Sequence, residues 1–187
     1  MDDLMVAEKV DVMVDLLDLV TDEMMVALGP AIARCRGLRH LDLAHTRLSD
    51  GVRLGQALSE LPQLFEIVLG GMSSRFDELN LLAVLVGLEP ATELRKIKFN
   101  YLEWFPVDAD NWNAATAQQD TLGRIVPRLA GFPNLDVLDL NGAWFGDHFF
   151  DLALALGGLQ NMRRLELSGC GLGDDDFRAL CVMCARA

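Results

Sequence analysis

Leu135-Asp136-Val137-Leu138-Asp139-Leu140 is followed, after four intervening residues, by Phe145-Gly146-Asp147. The same frame occurs at Leu38-Arg39-His40-Leu41-Asp42-Leu43 with Leu48-Ser49-Asp50, and at Met162-Arg163-Arg164-Leu165-Glu166-Leu167 with Leu172-Gly173-Asp174. It reads apolar-x-x-Leu-x-Leu, four spacers, an apolar residue, a small residue and Asp. Two shorter copies lie between, carried by Leu64, Ile67 and Leu69 and by Leu94, Ile97 and Phe99, the latter continuing through Leu102 and Trp104. A degenerate copy starts at Val14, with Leu17, Leu19 and Met24. The first apolar positions, 14, 38, 64, 94, 135 and 162, advance by 24, 26, 30, 41 and 27 residues. The long step requires an insertion, placed at Phe105–Thr121, where neither strand nor helix periodicity is visible.

Leu-x-Leu is alternation with period two, which buries one face of a strand. A strand this short is not stable alone, so the copies must pair with one another. Spacings of three and four between the copies mark helices: Val52, Leu58 and Leu61; Phe76, Leu79, Leu82 and Val86; Leu122, Ile125, Leu129 and Phe132; Phe149, Leu152, Leu156 and Leu159; Phe177, Leu180 and Cys184. Asp50, Asp147 and Asp174 stand where a helix start favours a capping carboxylate. Gly37, Gly87, Gly131 and Gly158 stand near helix ends, where a positive φ is expected. Strand, turn, helix and return, repeated, give an α/β architecture with a parallel sheet on one side and helices on the other. Helices are about 10 Å wide and strands lie about 4.8 Å apart, so the stack curves with the sheet inside.

The pattern resembles the leucine-rich repeats, in particular the longer, helix-bearing ribonuclease-inhibitor-like class. Leu38-x-x-Leu41-x-Leu43 and Leu135-x-x-Leu138-x-Leu140 carry the resemblance best, and it extends from Val14 to the C-terminus. It implies a curved solenoid with a concave parallel sheet and convex helices, in one domain spanning residues 1–187 with about five to six repeats. Family repeats usually carry Asn or Cys three positions after the last strand leucine. Here that position holds Asp22, Thr46, Met72, Leu102, Ala143 and Cys170, so only Cys170 conforms.

The chain has 187 residues, 51% of them hydrophobic and 24% charged, which is the composition of a globular domain. Sixteen Lys and Arg against 28 Asp and Glu give a net charge of -12. That excess argues against a nucleic-acid partner, which calls for a clustered basic surface, and favours a basic protein partner through long-range steering. Every apolar run is broken by a charge before the ~18 residues of a bilayer span, so no membrane segment is expected. Four cysteines and an acidic start without a basic leader point to a reduced cytoplasmic protein.

Between the leucines, the sheet face carries Asp18, Asp42, Val68, Lys98, Asp139 and Glu166 as its central row. Arg95, Lys96 and Lys98 concentrate three cations in one repeat, next to Phe65, Val68 and Tyr101. Cations beside aromatics on a rigid surface are typical of interface hot spots. The bland reading is cross-strand pairing of Lys98 with Asp139 or Glu66. Trp112, among polar residues of the insertion, either folds back onto Trp104 and Phe105 or meets a partner. Trp104 occupies a repeat leucine position and is expected in the core, whereas Trp144 in its turn is open to either role. The protein-binding candidates are therefore Phe65, Val68, Arg95, Lys96, Lys98, Tyr101 and Trp112.

Chemistry is otherwise sparse. Cys181-Val182-Met183-Cys184 has dithiol spacing, but no second pair exists to complete a zinc site, and an inward-facing helical pair explains both cysteines. Cys170 is expected to be structural. His40 and His45 flank Asp42, with no nucleophile nearby, and His148 lies elsewhere. Asp174-Asp175-Asp176 reads as a helix cap. Phosphate-loop, H-E-x-x-H and Gly-x-Ser-x-Gly motifs are absent, so neither catalysis nor a cofactor is expected. Solenoids expose apolar ends unless capped. At the front, Asp11–Val20 is suited to an irregular first strand over Met5 and Val6. At the back, Cys184-Ala185-Arg186-Ala187 supplies no polar unit, so the edge is expected to be covered by a partner, a second copy or further sequence. The expected function is non-catalytic protein binding on the concave face and the insertion. Regulation of an enzyme such as a small GTPase, or a structural role in a large intracellular or cytoskeletal assembly, are the alternatives.

Overall fold

The computed structural model describes residues 20–71, 76, 78–99, 125, 127–143 and 149–184. The elements run α1 (Asp22–Arg34), β1 (His40–Asp42), α2 (Gly51–Leu58), β2 (Glu66–Val68), α3 (Glu78–Leu88), β3 (Lys96–Lys98), β4 (Val137–Asp139), α4 (Phe149–Leu156), β5 (Arg164–Glu166) and α5 (Asp174–Cys184). The five strands form one parallel sheet in chain order. The chain is thus an α/β solenoid in which strands and helices alternate along the described residues, apart from the step from β3 to β4, most of which lies outside them.

Register follows the repeat frame residue for residue: Leu41 pairs with Ile67, Ile67 with Ile97, Ile97 with Leu138 and Leu138 with Leu165. A shared main-chain device holds it. The carbonyls of Arg39, Phe65, Arg95 and Asp136 each accept two N–H groups from the start of the next strand, at 2.7 to 3.0 Å. Beyond each strand, Leu43, Leu69, Phe99 and Leu140 donate to Val68, Lys98, Asp139 and Glu166. Because every repeat uses the same donors and acceptors, a slip in one strand would break bonds on both of its sides.

The inward leucines make one continuous core with Leu54, Leu58, Leu81, Leu85, Leu88, Ile125, Leu129, Phe149, Leu152 and Leu156. The expected stripes hold for Leu58, Leu61, Phe76, Ile125, Leu129, Phe132, Phe149, Leu152, Leu156 and Leu159, which are buried, and fail at four positions. Val52 is 56% exposed, Leu79 58%, Val86 44% and Phe177 60%. The inner faces of α2 and α3 also include residues the stripes left out: Gly51, Leu54, Gly55 and Ala57 join Leu58 on α2, and Leu81, Val84 and Leu85 are buried on α3. Glycine brings these helices together. A Cβ on Gly55 would lie 2.4 Å from the Ala83 carbonyl oxygen, and one on Gly87 would lie 2.1 Å from that of Gly55. The approach turns the large side chains outward, where Val52, Leu79 and Val86 flank a shallow groove of about 440 Å³.

Gly37, Gly87, Gly131 and Gly158 do not take a positive φ. It falls instead in the turns after β1, β2, β4 and β5, at His45 (57°), Gly71 (59°), Gly142 (76°) and Gly169 (71°), and also at Gly171 (64°). Those four turn residues share one repeat position, three after the last residue of the strand. The turn is pinned from behind, since Asp42 Oδ1 accepts from Ala44 N and Asp139 Oδ1 from Asn141 N.

Helix starts are tied across repeats. Asp50 caps α2 by accepting from Arg53 N. The Asp22 carboxylate of α1 accepts from Ser49 N, Asp50 N and the Ser49 hydroxyl, and Asn80 Oδ1 of α3 accepts from Gly51 N. Asp174 is not a cap, because it already lies in the first turn of α5 and Asp176 Oδ2 accepts from Gly173 N. Met24, the fourth residue of the degenerate first copy, lies on α1 and is 46% exposed, so it does not match the buried Leu48. Val14, Leu17, Leu19, Met5, Val6, Leu102, Trp104, Leu122, Trp144, Asp147, His148 and the insertion 105–121 lie outside the described residues. No helix among the described residues is long and apolar enough to cross a membrane.

Candidate functional site

Alternation along each strand sends the residues between the leucines to the face of the sheet turned away from the helices. There β1, β2 and β3 present His40, Glu66 and Lys96 side by side, and Asp42, Val68 and Lys98 in the next row. The preceding position carries Arg39, Phe65 and Arg95 in the same lateral order.

Phe65 is the apolar centre of this surface and is partly exposed. The Arg39 guanidinium carbon is 5.3 Å from its ring centroid, Lys96 Nζ is 5.6 Å from it, and the His40 ring is tilted against it at 5.6 Å. Cations at this range are attracted to the ring quadrupole, so they fix the ring as it fixes them. Val68, also partly exposed, continues the apolar surface along β2.

Glu66 binds the cations together. Its carboxylate lies 2.6 Å from Lys98 Nζ, 3.5 Å from Lys96 Nζ and 3.4 Å from His40 Nδ1, with its side chain only 15% exposed. Burial alone pushes the Glu66 carboxyl up. The hydrogen bond from Lys98, the charges of Lys98 and Lys96 and the His40 contact outweigh that effect and hold it below the ordinary carboxylate value of 4.5. Of the two pairings considered for Lys98, the one with Glu66 is made. Arg95 is exposed and meets Asp136 at 4.0 Å, and Arg39 meets Glu93 at 3.6 Å.

Sequence reasoning picked out Phe65, Val68, Arg95, Lys96 and Lys98, which the sheet brings onto one surface. It named Glu66 only as a possible partner of Lys98 and left Arg39 and His40 out of the group. The signal was available: in the repeat alignment, Glu66 sits between His40 and Lys96 and one strand from Lys98. Tyr101 and Trp112 lie outside the described residues.

A depressed folded-state value means that ionised Glu66 stabilises the fold above its unfolded pKa, and that this contribution disappears as pH falls through the folded value. The stability difference between wild type and Glu66→Gln is therefore expected to be full at neutral pH and to close as pH is lowered below 4.5. Urea unfolding of both proteins across that range measures it. A gap that stays constant into acid would show that the ion pairs do not hold Glu66 ionised.

Towards the other end of the sheet, Asn141 links β4 to β5 by donating from Nδ2 to Glu166 and accepting from Ser168 N. Thr46 and Cys170 occupy the family's polar position: both are buried, Thr46 Oγ1 donates to Leu43 O and Cys170 Sγ to Leu140 O. Burial pushes the Cys170 thiol up and the Asp139 charge adds to the shift, against the opposing Gly142 and Ala143 N–H groups, so the protonated donor form is favoured. Cys181 is exposed and does not face inward as expected. The side chain of Cys184 lies outside the described residues. Among the described residues no group of three or more His, Cys, Asp or Glu is placed to hold a metal ion.

A family model described as Leucine Rich repeat matches residues 158–181, the segment from the end of α4 through β5 into α5. Among solved structures, an internalin from Listeria monocytogenes is similar to this chain, with 16% sequence identity and a TM-score of 0.34. The match covers 82% of this chain and 48% of the internalin chain, so the protein spans about half the length of that structure. No curated protein matches.

Proposed function

We propose that this chain, one segment of which matches a leucine-rich-repeat model, is a non-catalytic protein-recognition module that takes a protein ligand on the open face of its sheet. One observation carries this reading: Phe65 is held part-exposed between Arg39, Lys96 and His40, on three strands whose main chains are fully hydrogen-bonded to one another. An aromatic fixed in place loses little freedom when a partner covers it, so most of the burial energy is available for binding. Val68 extends the apolar contact, and Arg95, Lys96 and Lys98 border it with donors already oriented by Glu66 and Asp136. Tyr101, in the pair that follows Phe99, and Trp112, within the insertion 105–121, belong to the same proposal.

The net charge of -12 steers a basic partner towards the molecule, and association is expected to slow as salt is raised. Affinity capture with wild type and with Phe65→Ala/Arg95→Glu tests the surface, with circular dichroism confirming that the variant is folded. Proteins retained by wild type and lost by the folded variant are the expected result. An unchanged set of retained proteins would remove this surface from consideration.

A further inference from the structure

The last described repeat differs from the others in showing its core. Leu41, Ile67, Ile97 and Leu138 are at most 2% exposed, whereas Leu165, in the same register, is only partly buried. So are Met162, Leu167, Leu172, Leu180 and Met183 around it. The main chain tells the same story. Arg163 N and Arg164 N donate to Asp136 O, and Glu166 O accepts from Leu140 N, so β5 faces β4 through Arg164 and Glu166. The alternation of a parallel ladder then directs the Arg163 carbonyl, both main-chain groups of Leu165 and the Leu167 N–H to the outer edge. The equivalent Arg39, Phe65, Arg95 and Asp136 carbonyls and the Leu43, Leu69, Phe99 and Leu140 N–H groups all bond to a following strand. Among the described residues no strand follows β5. Charged side chains commonly keep an edge strand single, but here Arg164 and Glu166 are opposite in sign, so they do not simply repel a second copy of the same segment.

We propose that this edge pairs with the same edge of a second copy, antiparallel, about a two-fold axis through Leu165. Charge complementarity singles out this occupant. With the axis at Leu165, the two Leu165 residues exchange N–H and C=O bonds, and each Arg163 carbonyl meets the Leu167 N–H of the second copy. Arg164 then stands opposite Glu166 of the second copy, and Glu166 opposite its Arg164. The segment is its own complement, as an isologous two-fold interface demands. In the isolated chain Arg164 Nε already lies 2.8 Å from Glu166 Oε1, so both charges stand on the same face, ready to exchange partners. Pairing would also cover Leu165 and Leu167 and join two sheets edge to edge, setting two copies of the Phe65 surface on one continuous face. A ligand with two binding segments would then gain by avidity. The dimer does not depend on the proposed function.

Sedimentation equilibrium of the whole chain over a dilution series tests the pairing, alongside Arg164→Glu and Glu166→Arg. Wild type is expected to weigh two chains at the concentrated end. Each charge reversal alone should weaken self-association about tenfold or more, equivalent to about 1.4 kcal/mol. A mixture of the two variants should form a heterodimer, and the doubly swapped chain should self-associate like wild type. Thermal unfolding of each variant establishes that it is folded. Glu166 also accepts from Asn141, so if Glu166→Arg unfolds, the exposed Arg164→Glu and the double swap decide the matter. A wild type that is monomeric throughout, a dimer indifferent to the charge reversals, or assemblies larger than two would each overturn the proposal.

Discussion

Gly55→Ala is expected to destabilise the protein by about 3 kcal/mol, a large cost for one methyl group. The added Cβ would fall 2.4 Å from the Ala83 carbonyl oxygen and 3.0 Å from its carbon, both main-chain atoms of α3. A side chain in the way can rotate aside; a helix backbone must move as a body. Moving α3 away from α2 would also part Gly51 from Asn80 and Gly87 from Gly55, contacts equally close. It would strain the hydrogen bond from Gly51 N to Asn80 Oδ1, which ties the two helices at their starts. Gly37→Ala is the control, because a Cβ there meets nothing within 4 Å and φ is not in the positive region. That variant is expected to fall within about 0.5 kcal/mol of wild type. Urea midpoints at unchanged m-value measure both. Equal midpoints for Gly55→Ala and wild type would mean that the two helices do not touch through glycine.

Phe99→Ala is expected to cost about 3–5 kcal/mol, which is a large share of the 5–15 kcal/mol that holds a typical domain together. Phe99 takes the second strand-leucine position, where its neighbours are Leu69 and Leu140, and all three are fully buried. Its N–H also donates to Asp139 O, so the main chain holds the ring's position in the middle of the sheet. Neighbouring repeats cannot close over the cavity without losing that register, and the cavity term is therefore retained. Phe99→Leu restores the residue type of the other repeats and should cost less, about 1.5 kcal/mol. Unfolding midpoints for the pair separate the two cases. A loss for Phe99→Ala no greater than that for Phe99→Leu would contradict the packing described here.

The sheet was legible in the sequence because its signal is local and repeated. Asp42, Val68, Lys98, Asp139 and Glu166 align in the repeat frame, and the strands pair in that same alignment. In a stack of similar units the alignment of the copies is the register of the strands, so no long-range information is needed. The site was half legible for the same reason. The rows placed Phe65, Val68, Arg95, Lys96 and Lys98 together, but a list of rows does not say which charge a side chain reaches for. The convergence of Lys96, Lys98 and His40 on Glu66 depends on side chains leaning across strands, some along the row and some on the diagonal.

The helices show where the reading stopped. In α3, Glu78-Leu79-Asn80-Leu81-Leu82-Ala83-Val84-Leu85-Val86-Gly87-Leu88, nearly every residue is apolar, so several stripes fit the helical period equally well. Leu81, Val84, Leu85 and Leu88 face inward, and Leu79 and Val86 do not. The choice is made by α2, whose Gly51 and Gly55 admit the α3 backbone at one rotation only. Thus the sequence by itself determined the number, order and register of the described strands, since alternation with period two leaves a leucine one of two faces and repetition chooses between them. The α4 stripe Phe149, Leu152, Leu156 and Leu159 was legible too. Only the tertiary structure decided which faces of α2 and α3 are buried, where the turns take a positive φ and how the surface charges pair. Each of these depends on how closely two backbones approach in space, and that distance is set by residues far apart in the chain.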